Sequence, residues 1–112
     1  MDLKLIIVLT SEDKTDGILK AARGAGATGG TIINNARGQG STSHRTFLGL
    51  TLEDRRNMVL FLVPQPVARS VLDAVSDAGD FDNKSGTGIA FQLDVEDAVG
   101  LRHQMEQTGV EG

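Results

Sequence analysis

The run Asn57-Met58-Val59-Leu60-Phe61-Leu62-Val63-Pro64-Gln65-Pro66 sets a strand against a helix with a sharp boundary between them. Met58 to Val63 is unbroken apolar chain, rich in branched and aromatic side chains, as a buried strand requires. Pro64 stops it. Pro66 then falls in the first turn of a helix, where its missing N–H costs nothing. Val67, Val71, Leu72, Val75 and Ala78 recur at helical spacing to form an apolar face, and Gly79 closes the helix.

Working outward, Leu3 to Leu9 is a second short apolar run and reads as a largely buried strand. Thr15 to Gly26 follows it with Ile18, Ala22 and Ala25 at helical spacing, and Gly26 suits a left-handed end. Thr31 to Arg37 is a more polar strand that runs into Gly38-Gln39-Gly40-Ser41-Thr42-Ser43, a loop with no apolar residue. Thr46 to Leu52 suggests a short edge strand. Past the second helix, Asp80 to Thr87 is polar, Gly88 to Leu93 is the last strand, and the tail after Leu101 has no periodicity. The order is strand, helix, strand, strand, helix, strand. This split βαβ pair predicts an α+β, ferredoxin-like βαββαβ sandwich, an antiparallel sheet with both helices on one face. The other, apolar face is left open, which predicts a symmetric oligomer.

The chain has 112 residues, 11 Lys+Arg against 15 Asp+Glu, and a formal net charge of −4. One domain, 1–112, is expected, with a core large enough to fold without covalent staples. The absence of Cys excludes disulfides, thiolate catalysis and Cys-ligated zinc. Phe47, Phe61, Phe81 and Phe91 are the only aromatic residues. An acidic chain so poor in aromatics is unsuited to nucleic acid. No apolar run approaches the roughly 18 residues of a membrane span. Leu5 to Leu9 is too short for a secretory signal, so a cytoplasmic location without membrane insertion is expected.

Several motif-like strings fail on context. Gly24-Ala25-Gly26-Ala27-Thr28-Gly29 spells a dinucleotide fingerprint, but a helix precedes it and a strand follows, the reverse of what phosphate binding at a helix start needs. Ser11-Glu12-Asp13-Lys14 matches S-x-x-K without partner motifs and is better explained as helix-entry chemistry. Asp80-Phe81-Asp82-Asn83-Lys84-Ser85 opens like a calcium loop, then places Lys84 and Ser85 where an oxygen ligand and the turn glycine belong, so no metal is expected. His44 and His103 stand apart, one in a polar loop and one bordering the last strand; Glu53-Asp54-Arg55-Arg56 reads as a charged turn. No acid, base and nucleophile set emerges, so the chain is not read as an enzyme. Two glycine-bearing turns remain. Gly86-Thr87-Gly88 leaves backbone amides free to curl around an anion, and Thr28-Gly29-Gly30-Thr31 offers two hydroxyls and two unhindered amides.

Gly26-Ala27-Thr28-Gly29-Gly30-Thr31-Ile32-Ile33, Arg37-Gly38-Gln39-Gly40, Ser85-Gly86-Thr87-Gly88-Ile89-Ala90-Phe91 and Val95-Glu96-Asp97-Ala98-Val99-Gly100-Leu101-Arg102 occur in the right succession to resemble the nitrogen-regulatory PII signalling family. The resemblance covers about Leu3 to Arg102. It implies a homotrimer of ferredoxin-like subunits that binds an adenine nucleotide between subunits and controls a protein or transporter target through a flexible T-loop, here about 38–56. The tail 103–112 lies beyond it. By this resemblance Gly86 and Gly88 are the B-loop glycines, Thr28 and Thr31 the strand-2 threonines near the base, Gly38 and Gln39 the T-loop root, and Arg102 the second C-loop arginine. Gly29, Arg37 and Thr87 complete the expected ligand-binding set.

The departures are specific. Ile89 stands where the family has its B-loop lysine, and Gly100 where it has its first C-loop arginine. Without Tyr in the loop, tyrosine uridylylation cannot occur; Ser41, Thr42 and Ser43 offer only hydroxyls for phosphorylation. With two cations fewer, AMP or ADP is expected to bind at least as well as ATP, as an effector and not a prosthetic group. The alternative reading is a ligand-free structural or partner-clamp trimer.

Overall fold

β1 (Leu3–Ser11), α1 (Thr15–Gly24), β2 (Thr31–Ala36), β5 (Arg56–Pro64), α2 (Gln65–Gly79) and β6 (Gly88–Val95) follow one another in the order read from the sequence, with a short pair, β3 (Thr46–Phe47) and β4 (Leu50–Thr51), between β2 and β5. The structure is a computed structural model, and it describes residues 2–36, 46–47, 50–51, 56–84 and 86–101.

The main sheet has the order β2-β5-β1-β6, with every pairing antiparallel. Both first and third long strands therefore lie inside, and β2 and β6 form the two edges. This is the ferredoxin-like arrangement. The register pairs Ile6 with Phe61 and Gln92, and Val8 with Val59 and Ala90, so alternate side chains share one face. On that face Ile6, Val8, Val59, Phe61 and Val63 are buried with Ile18 and Ala22 of α1 and Ala68, Val71 and Val75 of α2. Burying each of the larger side chains contributes roughly 1.5–3 kcal/mol. On the opposite face Leu9, flanked by Met58 and Ile89, is the one buried apolar side chain among the described residues. Leu62 and Leu93 there are 40% and 47% exposed.

Three details correct the sequence reading, and two add to it. Thr46 to Leu52 is not an edge strand of the main sheet: Thr46 pairs with Thr51 and Phe47 with Leu50, a hairpin of its own. The inner face of α2 uses Ala68, whereas Ala78 is exposed, because a stripe built on Val71 and Val75 continues to Ala68 and Gly79. Gly79 ends α2, as read, and the left-handed cap falls on the next residue, Asp80, at φ 56°. A Cβ on Gly79 would lie 2.1 Å from the Phe81 ring. Ser11 enters a single 3-10 turn, Glu12–Lys14, before the α-helix starts at Thr15, as read. Finally, Arg56 belongs neither to an exposed charged turn nor to a mobile loop: it opens β5 and is 8% exposed.

Candidate ligand-binding site

One end of the sheet gathers the chemistry. Ala36, Arg56 and Ser11 lie side by side there across β2, β5 and β1, and Thr10 pairs with Gly88 at the start of β6. The strands enter this end differently. β2 gains one residue relative to β5 between Ile33 and Ala36, a bulge that twists its exit. Beyond Ala36 the chain leaves for the segment that Arg56 brings back.

Behind this end runs a buried polar chain. Asn57 Nδ2 donates to Thr15 Oγ1 at 3.0 Å, and that hydroxyl donates to the Ser11 carbonyl at 3.1 Å. Asp13 stands beside it with its carboxyl held below the usual carboxylate range, chiefly by the Ser11 hydroxyl, with its own backbone N–H, Lys14 and Arg56 assisting.

The turn from Asp80 to Gly88 is held from inside. Lys84 N–H donates to the Asp80 carbonyl at 3.0 Å, and Thr87 Oγ1 lies 3.0 Å from the Asp80 oxygen and 3.1 Å from the Lys84 oxygen. The Thr87 hydroxyl thus serves as the clasp of its own loop. Its carbonyl receives Thr10 Oγ1 at 3.5 Å and Arg56 Nη1 at 3.4 Å, and Arg56 Nη2 donates to the Gly86 carbonyl at 2.9 Å. Gly86 has φ +78° with open space where a Cβ would stand, while a Cβ on Gly88 would meet the Leu9 carbonyl at 2.5 Å and Phe81 at 2.4 Å. The Gly86 turn is exposed and small enough for an anion to approach its backbone. Ile89, in the lysine position, packs on Leu9 beside Met58 on the open face of the sheet.

The second glycine turn lies elsewhere. Thr28, Gly29, Gly30 and Thr31 are all exposed, and Thr31 pairs with Leu60 on edge strand β2. Gly30 is there for packing: a Cβ would lie 2.7 Å from the Phe61 ring, whereas Gly29 faces open space. Three inter-strand spacings, about 14 Å, separate β2 from β6. Within one chain, then, the structure brings Gly86, Thr87 and Gly88 together, and leaves Thr28, Gly29 and Thr31 on the opposite edge. Arg37, Gly38, Gln39 and Arg102 lie outside the described residues, as do His44, His103 and the hydroxyls of Ser41, Thr42 and Ser43. The sequence reading missed Arg56 as a site residue. Nothing local distinguishes it from Arg55; its carbonyl partners lie 30 and 31 residues away.

A cleft of about 230 Å³ lies between α2 and β6, lined by Leu72, Ser76, Phe81 and Ala90 among others. Its polar groups are already engaged: Arg69 pairs with Asp73 at 3.1 Å, and Ser76 bonds Asp82 at 3.3 Å. Among the described residues no cluster of three metal-ligating side chains occurs, and no helix is long and apolar enough to cross a membrane.

Ferredoxin-like topology with a glycine turn feeding the last strand is one solution among several, and the family match decides between them. The family model described as nitrogen regulatory protein P-II matches residues 3–105. The chain belongs to that family. No curated protein matches the sequence. Among solved structures it is similar to CPII, a nitrogen regulatory PII-like protein from Thiomonas intermedia. The form bound to ADP, AMP and acetate is 20% identical at TM-score 0.62, covering 84% of this chain and 86% of that one. The form bound to ADP and bicarbonate is 21% identical at TM-score 0.61, covering 85% and 87%. The apo form is 18% identical at TM-score 0.62, covering 85% and 90%. At these identities the likeness speaks for the fold.

Proposed function

We propose that this chain is a non-enzymatic regulatory subunit that assembles as a trimer. It holds an adenine nucleotide between subunits and controls a protein partner through segment 38–56. The observation that carries this reading is the placement of the two glycine turns on opposite edges of one sheet. They can face one ligand only when the β6 edge of one copy meets the β2 edge of the next. An apolar sheet face with Leu62 and Leu93 largely exposed, and Val99 at 96% exposure beyond β6, supports association of copies. The PII-like relatives bound to ADP and AMP support the ligand class.

In this reading Gly86, Thr87 and Gly88 cradle phosphate with backbone amides. Thr28, Gly29 and Thr31 approach from the neighbouring edge, and Arg37, Gly38, Gln39 and Arg102 close the site. The missing cations at Ile89 and Gly100 favour AMP or ADP over a triphosphate, whose far end would lack a partner. Light scattering and a thermal-shift screen against AMP, ADP, ATP, cyclic nucleotides and bicarbonate test the proposal together. A ligand at a hundred times its Kd adds about 2.7 kcal/mol to stability, a shift of roughly 10 °C for a domain of this size. A monomer at micromolar concentration overturns the intersubunit site. A trimer that no ligand stabilises favours the purely structural reading, which Ile89 and Gly100 make the natural rival.

A further inference from the structure

We propose that Arg56 is the positioning residue of the anion cradle. By holding the Gly86 and Thr87 carbonyls on the inner side of the turn it aims the Thr87 N–H outward, and it places behind that peptide the positive charge that Ile89 does not supply. The inference rests on the reading above for the nature of the ligand, but not for the geometry.

The geometry is specific. A guanidinium only 8% exposed needs several acceptors to offset its lost hydration. Two of them are successive carbonyls of the turn, at 2.9 Å to Gly86 and 3.4 Å to Thr87. In a trans peptide the C=O and N–H point in opposite directions. Drawing the Gly86 oxygen toward Nη2 therefore turns the Thr87 N–H away from Arg56. Among the described residues that N–H donates to no backbone carbonyl, and the Thr87 hydroxyl is occupied with Asp80 and Lys84. The guanidinium polarises the peptide it holds, and a polarised N–H is a stronger donor to an anion. Lys at this position would keep the charge and lose the fork that takes both carbonyls at once.

Arg56→Lys and Arg56→Met compared with the unaltered protein test this in two ways. Carbonyl ¹³C resonances of Gly86 and Thr87, measured without ligand, should move upfield in both variants and more in Arg56→Met, while that of Gly17 in α1 stays in place. Titrated with ADP and with inorganic pyrophosphate, Arg56→Met should lose at least about tenfold in affinity for both, and Arg56→Lys a smaller, partially rescued amount. Unchanged affinities in both variants overturn the positioning role and leave nucleotide binding intact. If the unaltered protein binds pyrophosphate but not ADP or AMP, the nucleotide reading fails and pyrophosphate alone judges Arg56. Binding of neither probe overturns the inference. Should Arg56→Met fail to fold, Arg56→Lys carries the comparison, because it retains a cation.

Discussion

On one face of the sheet Ile6, Val8, Val59, Phe61 and Val63 are sealed under two helices, whereas on the other Leu5, Ile7, Leu60 and Phe91 are half-buried and Leu62 and Leu93 exposed. The chemistry of the two faces is nearly the same; the cover is not. An antiparallel sheet with one wet face normally alternates apolar and polar residues along its strands. Leu5 to Leu9 and Met58 to Val63 do not alternate. Their composition is that of strands buried on both sides, whereas the described residues of one chain cover only one of the two faces. The helix-covered face accounts for the fold of one chain, and the open face is the one on which the proposed association rests.

The difference can be broken from either side. The largest effect is expected on the covered face: Phe61→Ala should destabilise the fold by about 3–5 kcal/mol in urea titrations, since its ring is buried and also fills the space against Gly30. On the open face Leu62→Asp should leave the unfolding free energy of a monomer nearly unchanged. It should instead shift the light-scattering mass from trimer to monomer, because a carboxylate would have to be buried between copies. Equal effects on subunit stability from both substitutions would erase the distinction between the faces.

The glycine turns sharpen the contrast at smaller scale. Gly88→Ala should cost about 1–3 kcal/mol by overpacking, because its Cβ would overlap the Leu9 carbonyl and the Phe81 ring. Gly86→Ala meets no atom but must hold a positive φ, at a cost of about 1–2 kcal/mol. Gly29→Ala has neither problem and should stay within about 0.5 kcal/mol of the parent. If Gly29→Ala nevertheless weakens ADP binding, the effect belongs to the ligand and not to the fold. Thermal melts with and without ADP separate the two.

Much of this was legible in advance because it is local. Runs of branched residues, Pro64 with Pro66, and the spacing of Ile18 with Ala22 and of Val71 with Val75 gave the element order, and the order gave the topology. What escaped depends on contacts between distant parts of the chain. Arg56 is buried because carbonyls of a loop some thirty residues later come to lie beside the start of β5. The two glycine turns were legible in the sequence, and the strand order places them on opposite edges of the sheet.

The smallest effect expected lies at the same end of the sheet, on Asp13. Its carboxyl is held below the ordinary range first by the Ser11 hydroxyl and then by its own N–H, Lys14 and Arg56, with desolvation opposing. A carboxyl whose value is depressed by folding binds its proton less readily in the folded state than in the unfolded chain. Its contribution to stability is therefore present above the unfolded value, near pH 4, and is lost as the pH falls through the lower folded value. Asp13→Asn removes that dependence. Urea midpoints of the two proteins should differ slightly near neutral pH and converge as the pH falls through the lowered folded value. Because the group is fully exposed, added salt should shrink the Lys14 and Arg56 share of the difference and spare the hydrogen bond from Ser11. A gap between the two proteins that widened in acid would mean that Asp13 is not stabilised in its ionised form, and that the positive field from Arg56 does not reach beyond the cradle to this side of the sheet.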